Sequence, residues 1–211
     1  MNTINRRILA AAYGIVLAVT LPHVRAAESP ARPYLAVDAG VELQQDVTIK
    51  DTGGAKMSFD PGIRFDFGAG YHFAESWALE FQTGLIYNSV DKIGGISLNA
   101  VGASADFYEI PLMANVIYTV PIHERIGIFL GGGIGGVVGL FHTEGFGQSS
   151  DNTDLTFGYQ ALLGAKYAFN DRMEMGIGYK FLGTTDHDLG SGVKSEGTMT
   201  HSLLVVFSVN F

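Results

Sequence analysis

Ten ionisable residues have the spacing to act together. They are Asp38, Glu42, Asp66, Glu80, Glu109 and Glu174, with Arg64, Lys166, Lys180 and His72. Each falls on the polar track of a segment in which every second residue is apolar. A period of two puts such residues on one face of an extended chain. Carboxylates facing cations across a narrow interior would pair and hold water, because a bare buried charge is costly. That is structural chemistry. Arg64 and Lys166 are the expected hubs. Nucleophilic chemistry needs a hydroxyl or thiol within hydrogen-bond reach of a base. His201 and Ser202 are adjacent, so on a strand they point to opposite faces and make no such pair. Asp186, His187 and Asp188 resemble a metal cluster only weakly, since alternate side chains diverge. No catalytic group, cofactor or metal is expected.

The elements that must position these residues are strands. The clearest stretch runs from Gly62 to Asn88. Ile63, Phe65, Phe67, Ala69, Tyr71 and Phe73 form one track, and Trp77, Leu79, Phe81, Thr83, Leu85 and Tyr87 continue it. Arg64, Asp66 and Glu80 share the other track with several glycines. The break at Ala74-Glu75-Ser76 is short enough for an antiparallel hairpin. Similar alternation recurs at 34–43, 107–120, 126–141, 155–169, 173–181 and 203–211. That predicts eight strands. Four long polar segments, 44–58, 89–105, 142–154 and 183–199, alternate with short turns at 74–76, 121–125 and 170–172.

A soluble sandwich has no reason to segregate long and short connections in this way. A membrane barrel does, with an even strand number, an apolar outer face and a polar interior. Closure also removes strand edges that lipid cannot hydrate. Ten tilted residues at about 3.3 Å each span the roughly 25 Å apolar band of such barrels. Aromatics fall at strand ends as two girdles. Tyr71, Phe73, Trp77, Tyr118, Tyr167, Phe169 and Phe211 lie toward the turns. Phe59, Tyr87, Tyr108, Phe157 and Phe181 lie toward the loops. The predicted fold is all-β, an eight-stranded antiparallel up-and-down transmembrane barrel over residues 34–211.

Composition agrees. The 211 residues include 28 glycines, and only 16% are charged. There is no cysteine, which excludes disulfides, thiolate metal sites and a lipid-modified N-terminal Cys. After the N-terminal segment, no run of about 20 apolar residues could form a spanning helix. Residues 1–26 read as a cleavable secretion signal: Arg6 and Arg7, apolar Ile8 to Leu21, then Val24-Arg25-Ala26 as the cleavage site. Cleavage after Ala27 is the alternative. A short segment, 27–33, precedes the barrel. Residues 1–26 carry three bases and no acid, so the remainder has 10 bases against 21 acids, a balance of −11. That argues against nucleic-acid binding and against attraction to anionic lipid.

The chain resembles the small outer-membrane β-barrels that include OmpX and the membrane domain of OmpA. The residues carrying the resemblance are Tyr108-Glu109-Ile110-Pro111-Leu112, the glycine-rich stretch from Gly131 to Gly136, and Phe211 preceded by apolar Leu203, Val205, Phe207 and Val209. In that family an alternating last strand ending in an aromatic is the signal read by the barrel-assembly machinery. The resemblance therefore implies outer-membrane localisation, lipid and lipopolysaccharide as surroundings, and that machinery as a partner. The periplasmic peptidoglycan-binding domain of longer relatives has no counterpart here, so cell-wall anchoring does not carry over. Some barrels of this size are lipid-modifying enzymes. The deacylase pattern places His and Ser two apart on one face, which His201-Ser202 does not.

The expected function is a structural or surface-interaction barrel, monomeric, with a plugged polar lumen and four exposed loops. The runner-up is a narrow porin-like channel for ions or small solutes. A lipid-modifying enzyme comes third. The acidic third and fourth loops would meet phosphate-rich lipid through divalent cations. They are also where a host or surface ligand would bind, but no motif names one.

Overall fold

A computed structural model describes residues 32–50, 52–145, 148–190 and 193–211. The expected secretion signal, 1–26, and most of the expected N-terminal segment, 27–33, lie outside the described residues. Eight long strands form the wall: β1 (Arg32–Gln44), β2 (Gly62–His72), β3 (Trp77–Ile93), β4 (Ser104–His123), β5 (Ile126–Gly145), β6 (Gln148–Ala168), β7 (Met173–Thr184) and β8 (Met199–Asn210). Each pairs antiparallel with its neighbours in sequence. The first strand also pairs with the last, from Tyr34↔Asn210 to Gln44↔Thr200. The sheet is thus a closed barrel, and Phe211 N donates to Pro33 O at 2.9 Å to tie off the seam.

The alternation read from the sequence sets the two faces. Ile63, Phe65, Leu79, Phe81, Leu163, Ile177 and Leu203 are all more than half exposed on the outside. Arg64, Asp66, Glu80 and Lys180, one position away, are buried inside. Such a surface would aggregate in water, and it matches a lipid-facing wall. No described helix is long and apolar enough to cross a membrane.

The turn end follows local chemistry. Asn170 Oδ1 accepts from the backbone N–H of Arg172 and Met173, both at 2.9 Å, closing the β6–β7 turn in the manner of an Asx-turn. The β3–β4 ladder is interrupted between Thr83↔Leu112 and Ile86↔Glu109, where Pro111 has no N–H to donate.

The loop end departs from the sequence reading. Residues 142–154 are mainly strand, because β5 and β6 run on to Gly145 and from Gln148. Residues 89–105 hold the end of β3, a tight hairpin and a short 3-10 turn at Asn99–Val101. Gly94 and Gly95 take φ of +60° and +83°, and Ile93 pairs with Ile96 around them. Two successive positive φ values favour glycine, so Gly-Gly was a hairpin signal inside the expected loop. Segments 44–58 and 183–199 hold, wholly or in part, the short strands Val47–Thr48, Lys56–Phe59, His187–Gly190 and Val193–Ser195. Strands beyond the lipid band need no apolar outer face, so their pattern is weak.

Candidate functional site

Strand alternation sends one side chain in two into the lumen, and the inward set forms a connected network. Arg64 Nε donates to Asp66 Oδ2 at 2.8 Å, and Lys180 Nζ donates to the same oxygen at 2.8 Å and to Asp38 Oδ2 at 2.6 Å. Arg64 extends to Ser202 Oγ at 3.2 Å and Gln160 Oε1 at 3.4 Å. The Ser202 hydroxyl donates to Glu42. Gln160 Nε2 then donates to Asn115 Oδ1 at 2.6 Å and Gln82 Oε1 at 3.1 Å. Asn115 Nδ2 reaches Glu80 Oε1 at 3.2 Å, and the Tyr34 hydroxyl donates to Glu80 Oε2 at 3.0 Å.

Seven of the eight strands supply members of this network. The exception is β5, whose inward Gly131, Gly133 and Gly135 leave room instead. A Cβ at Gly133 would collide with Asn115, one at Gly70 with the Tyr34 ring, and one at Gly164 with Phe129. At these three positions a neighbouring strand's side chain occupies the space that the glycine leaves.

The remaining inward charges stand apart. Lys166 Nζ pairs with Glu174 Oε2 at 2.8 Å near the turn end. Arg64 is a hub as expected; Lys166 is not, and Lys180 takes that place because its position along β7 reaches the barrel's mid-plane. His72 is half-buried, with its ring 4.9 Å from that of Tyr34. Glu109 accepts from Thr198 Oγ1 at 2.8 Å near the loop end. Beside it His187 is buried, its Nε2 3.7 Å from Glu109 Oε1 and 2.9 Å from Thr184 Oγ1. Burial holds the His187 imidazole below its usual range.

The sequence reading missed Tyr34, Gln82, Asn115, Gln160 and Ser202 as network members, and His187 as a buried group. The first five sit on the same inward tracks as the charges, so the signal was present. His187 gave none, because it lies in a segment read as loop. Asp186 pairs with Lys50, and Asp188 N–H donates to Asp154 Oδ2 at 2.9 Å. No group of three His, Asp or Glu among the described residues is arranged to hold a metal ion.

The lumen also holds apolar matter. Ile86, Met113, Val137 and Leu182 pack together, each at most 1% exposed. Gly158, two residues from Gln160 toward the loops, faces Val137, Met113 and Leu182. Farther out, Ile49, Met57, Val90 and Ala105 cluster with Phe59 and Phe141. Phe59 thus belongs to an inner cluster, not to the outer girdle, because Lys56–Phe59 folds beside the end of β3. Other aromatics pair across strands on the outside: Trp77 with Tyr118, ring centroids 4.7 Å apart, and Tyr87 with Tyr108 at 5.0 Å. Tyr71, Phe73, Tyr167 and Phe169 are exposed toward the turns. His201 is on the outer face, its Nδ1 2.6 Å from the Tyr179 hydroxyl, while Ser202 is inside.

A closed barrel of eight antiparallel strands, apolar outside and hydrogen-bonded within, is a transmembrane β-barrel. The sequence matches the outer membrane protein beta-barrel domain over residues 11–211, and the chain belongs to that family. It is an outer-membrane protein. Its fold is similar to that of Neisserial surface protein A, with TM-score 0.60 and 17% identity, covering 87% of this chain and 100% of that one. It is also similar to the outer membrane protein OprG from Pseudomonas aeruginosa, with TM-score 0.58 and 18% identity over 84% and 95% of the two chains. The outer membrane protease OmpT from Escherichia coli shares the fold at TM-score 0.50 and 7% identity, over 85% and 97%. No curated protein matches the chain in sequence.

Proposed function

We propose that this barrel is a closed, non-conducting scaffold whose specific role lies in surface interaction at its long-loop end. The observation that carries this is the stacking of three obstructions along the lumen. They are the Arg64–Asp66–Lys180–Asp38 network, the Ile86, Met113, Val137 and Leu182 packing, and the outer cluster around Met57. An eight-stranded barrel is only wide enough for its own side chains. The long loops face outside and the short turns face the periplasm. Lipid and lipopolysaccharide surround the wall, and the alternating strand from Leu203 to Phe211 addresses the chain to the barrel-assembly machinery. Closure leaves no strand edge for a second copy to pair with, which favours a monomer. The name of Neisserial surface protein A is consistent with a role at the surface.

Two features favour reading the chain as a scaffold over the enzyme. Ser202 is held by Arg64 and Glu42 inside the lumen, and His201 sits on the opposite face. The channel reading draws on the excess of lumen acids, which would select cations. Planar-bilayer recording of the refolded mature protein separates the two. The wild type should show no steady conductance, and Arg64→Ala, which removes the largest fully buried side chain of the network and leaves Asp66 with Lys180 alone, should raise it. Stable cation-selective channels in the wild type would overturn the proposal and promote the channel.

A further inference from the structure

The outer wall breaks its apolar rule at a corner of the loop end. Along β8 the outward track reads Met199, His201, Leu203, Val205, Phe207 and Val209, so His201 is its one polar member. The Tyr179 hydroxyl lies 2.6 Å from His201 Nδ1, and Gln45 Nε2 lies 2.8 Å from His201 Nε2. The trio joins three strands, since Tyr179 is on β7 and Gln45 follows directly on β1. His201 is level with Phe181 of the loop-end girdle, the two rings 5.4 Å apart. A polar cluster is costly against hydrocarbon, so at this height it belongs to the headgroup layer.

The trio leaves hydrogen-bonding capacity over. An amide nitrogen only donates, so His201 Nε2 accepts from Gln45 and its Nδ1–H donates to the Tyr179 oxygen. The Tyr179 hydroxyl proton and Gln45 Oε1 then have no partner among the described residues, and both residues are exposed. One donor beside one acceptor suits a hydroxyl, which does both. A phosphate diester only accepts, and the trio offers it no Lys or Arg. Phe181 and Tyr159, ring centroids 6.1 Å apart, put aromatic faces beside the trio, on which the apolar face of a sugar ring packs. Toward the turns, Leu203, Val205 and Ile177 are all more than half exposed, and Ile177 pairs with Val205.

We propose that this corner binds the sugar headgroup of an outer-leaflet glycolipid, with an acyl chain laid along Leu203, Val205 and Ile177. Headgroup hydroxyls accept from Tyr179 and donate to Gln45 Oε1. A free saccharide would leave the apolar track unmatched. A lipid with a bare phosphate diester would leave Gln45 Oε1 without a donor. The choice of leaflet rests on the outward orientation of the long loops proposed above; binding of the sugar does not.

The test is NMR of the Tyr179 and Phe181 rings in the refolded protein in phosphatidylcholine nanodiscs. The probes are glucosyl diacylglycerol, dihexadecyl phosphate and methyl glucoside. Glucosyl diacylglycerol should shift both rings saturably and bring its sugar protons into contact with Phe181. Dihexadecyl phosphate should leave the rings unmoved, and methyl glucoside should bind at least about tenfold more weakly. Gln45→Leu and His201→Phe should each weaken the glycolipid by a similar factor, whereas Tyr87→Phe, which removes a girdle hydroxyl outside the trio, should not. No response to the glycolipid would overturn the proposal, as would equal shifts from dihexadecyl phosphate or equal affinity for methyl glucoside. So would glycolipid shifts that do not saturate or that survive the trio variants, because they would report general partition into the bilayer. If His201→Phe fails to fold, Gln45→Leu, exposed beyond the strand, decides alone. Both leaflets of the nanodisc carry the probe, so an inverted barrel would still bind it, and thiol labelling on intact cells reads sidedness separately.

Discussion

Lys180 on β7 and Asp38 on β1 are 142 residues apart in sequence, yet Nζ lies 2.6 Å from Oδ2. Their strands are not neighbours; β8 runs between them. The contact crosses the inside of the wall, so it exists only once the first and last strands have met. It therefore couples barrel closure to lumen chemistry.

Lys180→Met should unpair Asp38 and half of the Asp66 pairing. Removing one partner of a buried pair costs about 3–5 kcal/mol, because the orphaned charge stays buried. Urea unfolding in lipid vesicles measures it. The double variant Lys180→Met with Asp38→Asn should lose less than the sum of the two single losses, since the residues share one interaction. Strict additivity would mean that the pair contributes nothing.

The outer wall should reject charge. Leu79→Arg and Phe65→Arg are expected to destabilise by about 2–4 kcal/mol if they lie near the bilayer midplane. Both residues are more than half exposed on the apolar face. Glu80→Gln, one residue from Leu79 but inside, should still insert. A mature protein that stays monodisperse without detergent would contradict the lipid-facing assignment.

Sidedness can be read by labelling, because the chain has no cysteine of its own. An impermeant thiol reagent on intact cells should label Ala100→Cys at the long-loop end. It should label Glu75→Cys, in the β2–β3 turn, only after the envelope is opened. The reverse pattern would invert the topology.

Gly164→Ala should be costly although it adds one methyl group. Its Cβ would strike both the Phe129 ring and the Ile177 carbonyl. Overpacking of this kind costs about 1–3 kcal/mol. The same change at Gly132, where the nearest atom is the Gln160 carbonyl oxygen at 3.6 Å, should be mild. Equal losses at both positions would argue against the filling of inward glycines by neighbouring side chains.

The β5–β6 tip should loosen as pH rises. His142, beyond the apolar band, bonds Asp151 Oδ1 through Nδ1 at 2.5 Å and lies 3.5 Å from Glu144. The Asp151 hydrogen bond raises its pKa above the ordinary 6.5. A raised folded-state pKa stabilises below the ordinary value, and that stability is lost as pH climbs through the raised one. Amide exchange at Thr143 and Ser150 should therefore lose protection upward from about pH 6.5, beyond the base-catalysed trend. His142→Gln should remove the excess. Unchanged protection across that range in the wild type would rule the contact out as a stabiliser of the tip.

Strand identity, the inward or outward sense of each side chain and the membrane class were legible in the residue order. A period of two fixes which face Arg64, Asp66 or Leu79 occupies once a strand is assumed, and lipid then requires closure. Partners were not legible. Whether Arg64 meets Asp66, or whether Lys180 rather than Lys166 becomes a hub, depends on the stagger of eight strands around the barrel. That stagger is set by inter-strand register, to which distant residues contribute. The outer parts of β5 and β6 escaped notice for a related reason. Water-facing strands need no alternation, so only their pairing with neighbours reveals them. The same tertiary closure decided which neighbour fills the space at each inward glycine, as Asn115 does at Gly133 and Phe129 at Gly164.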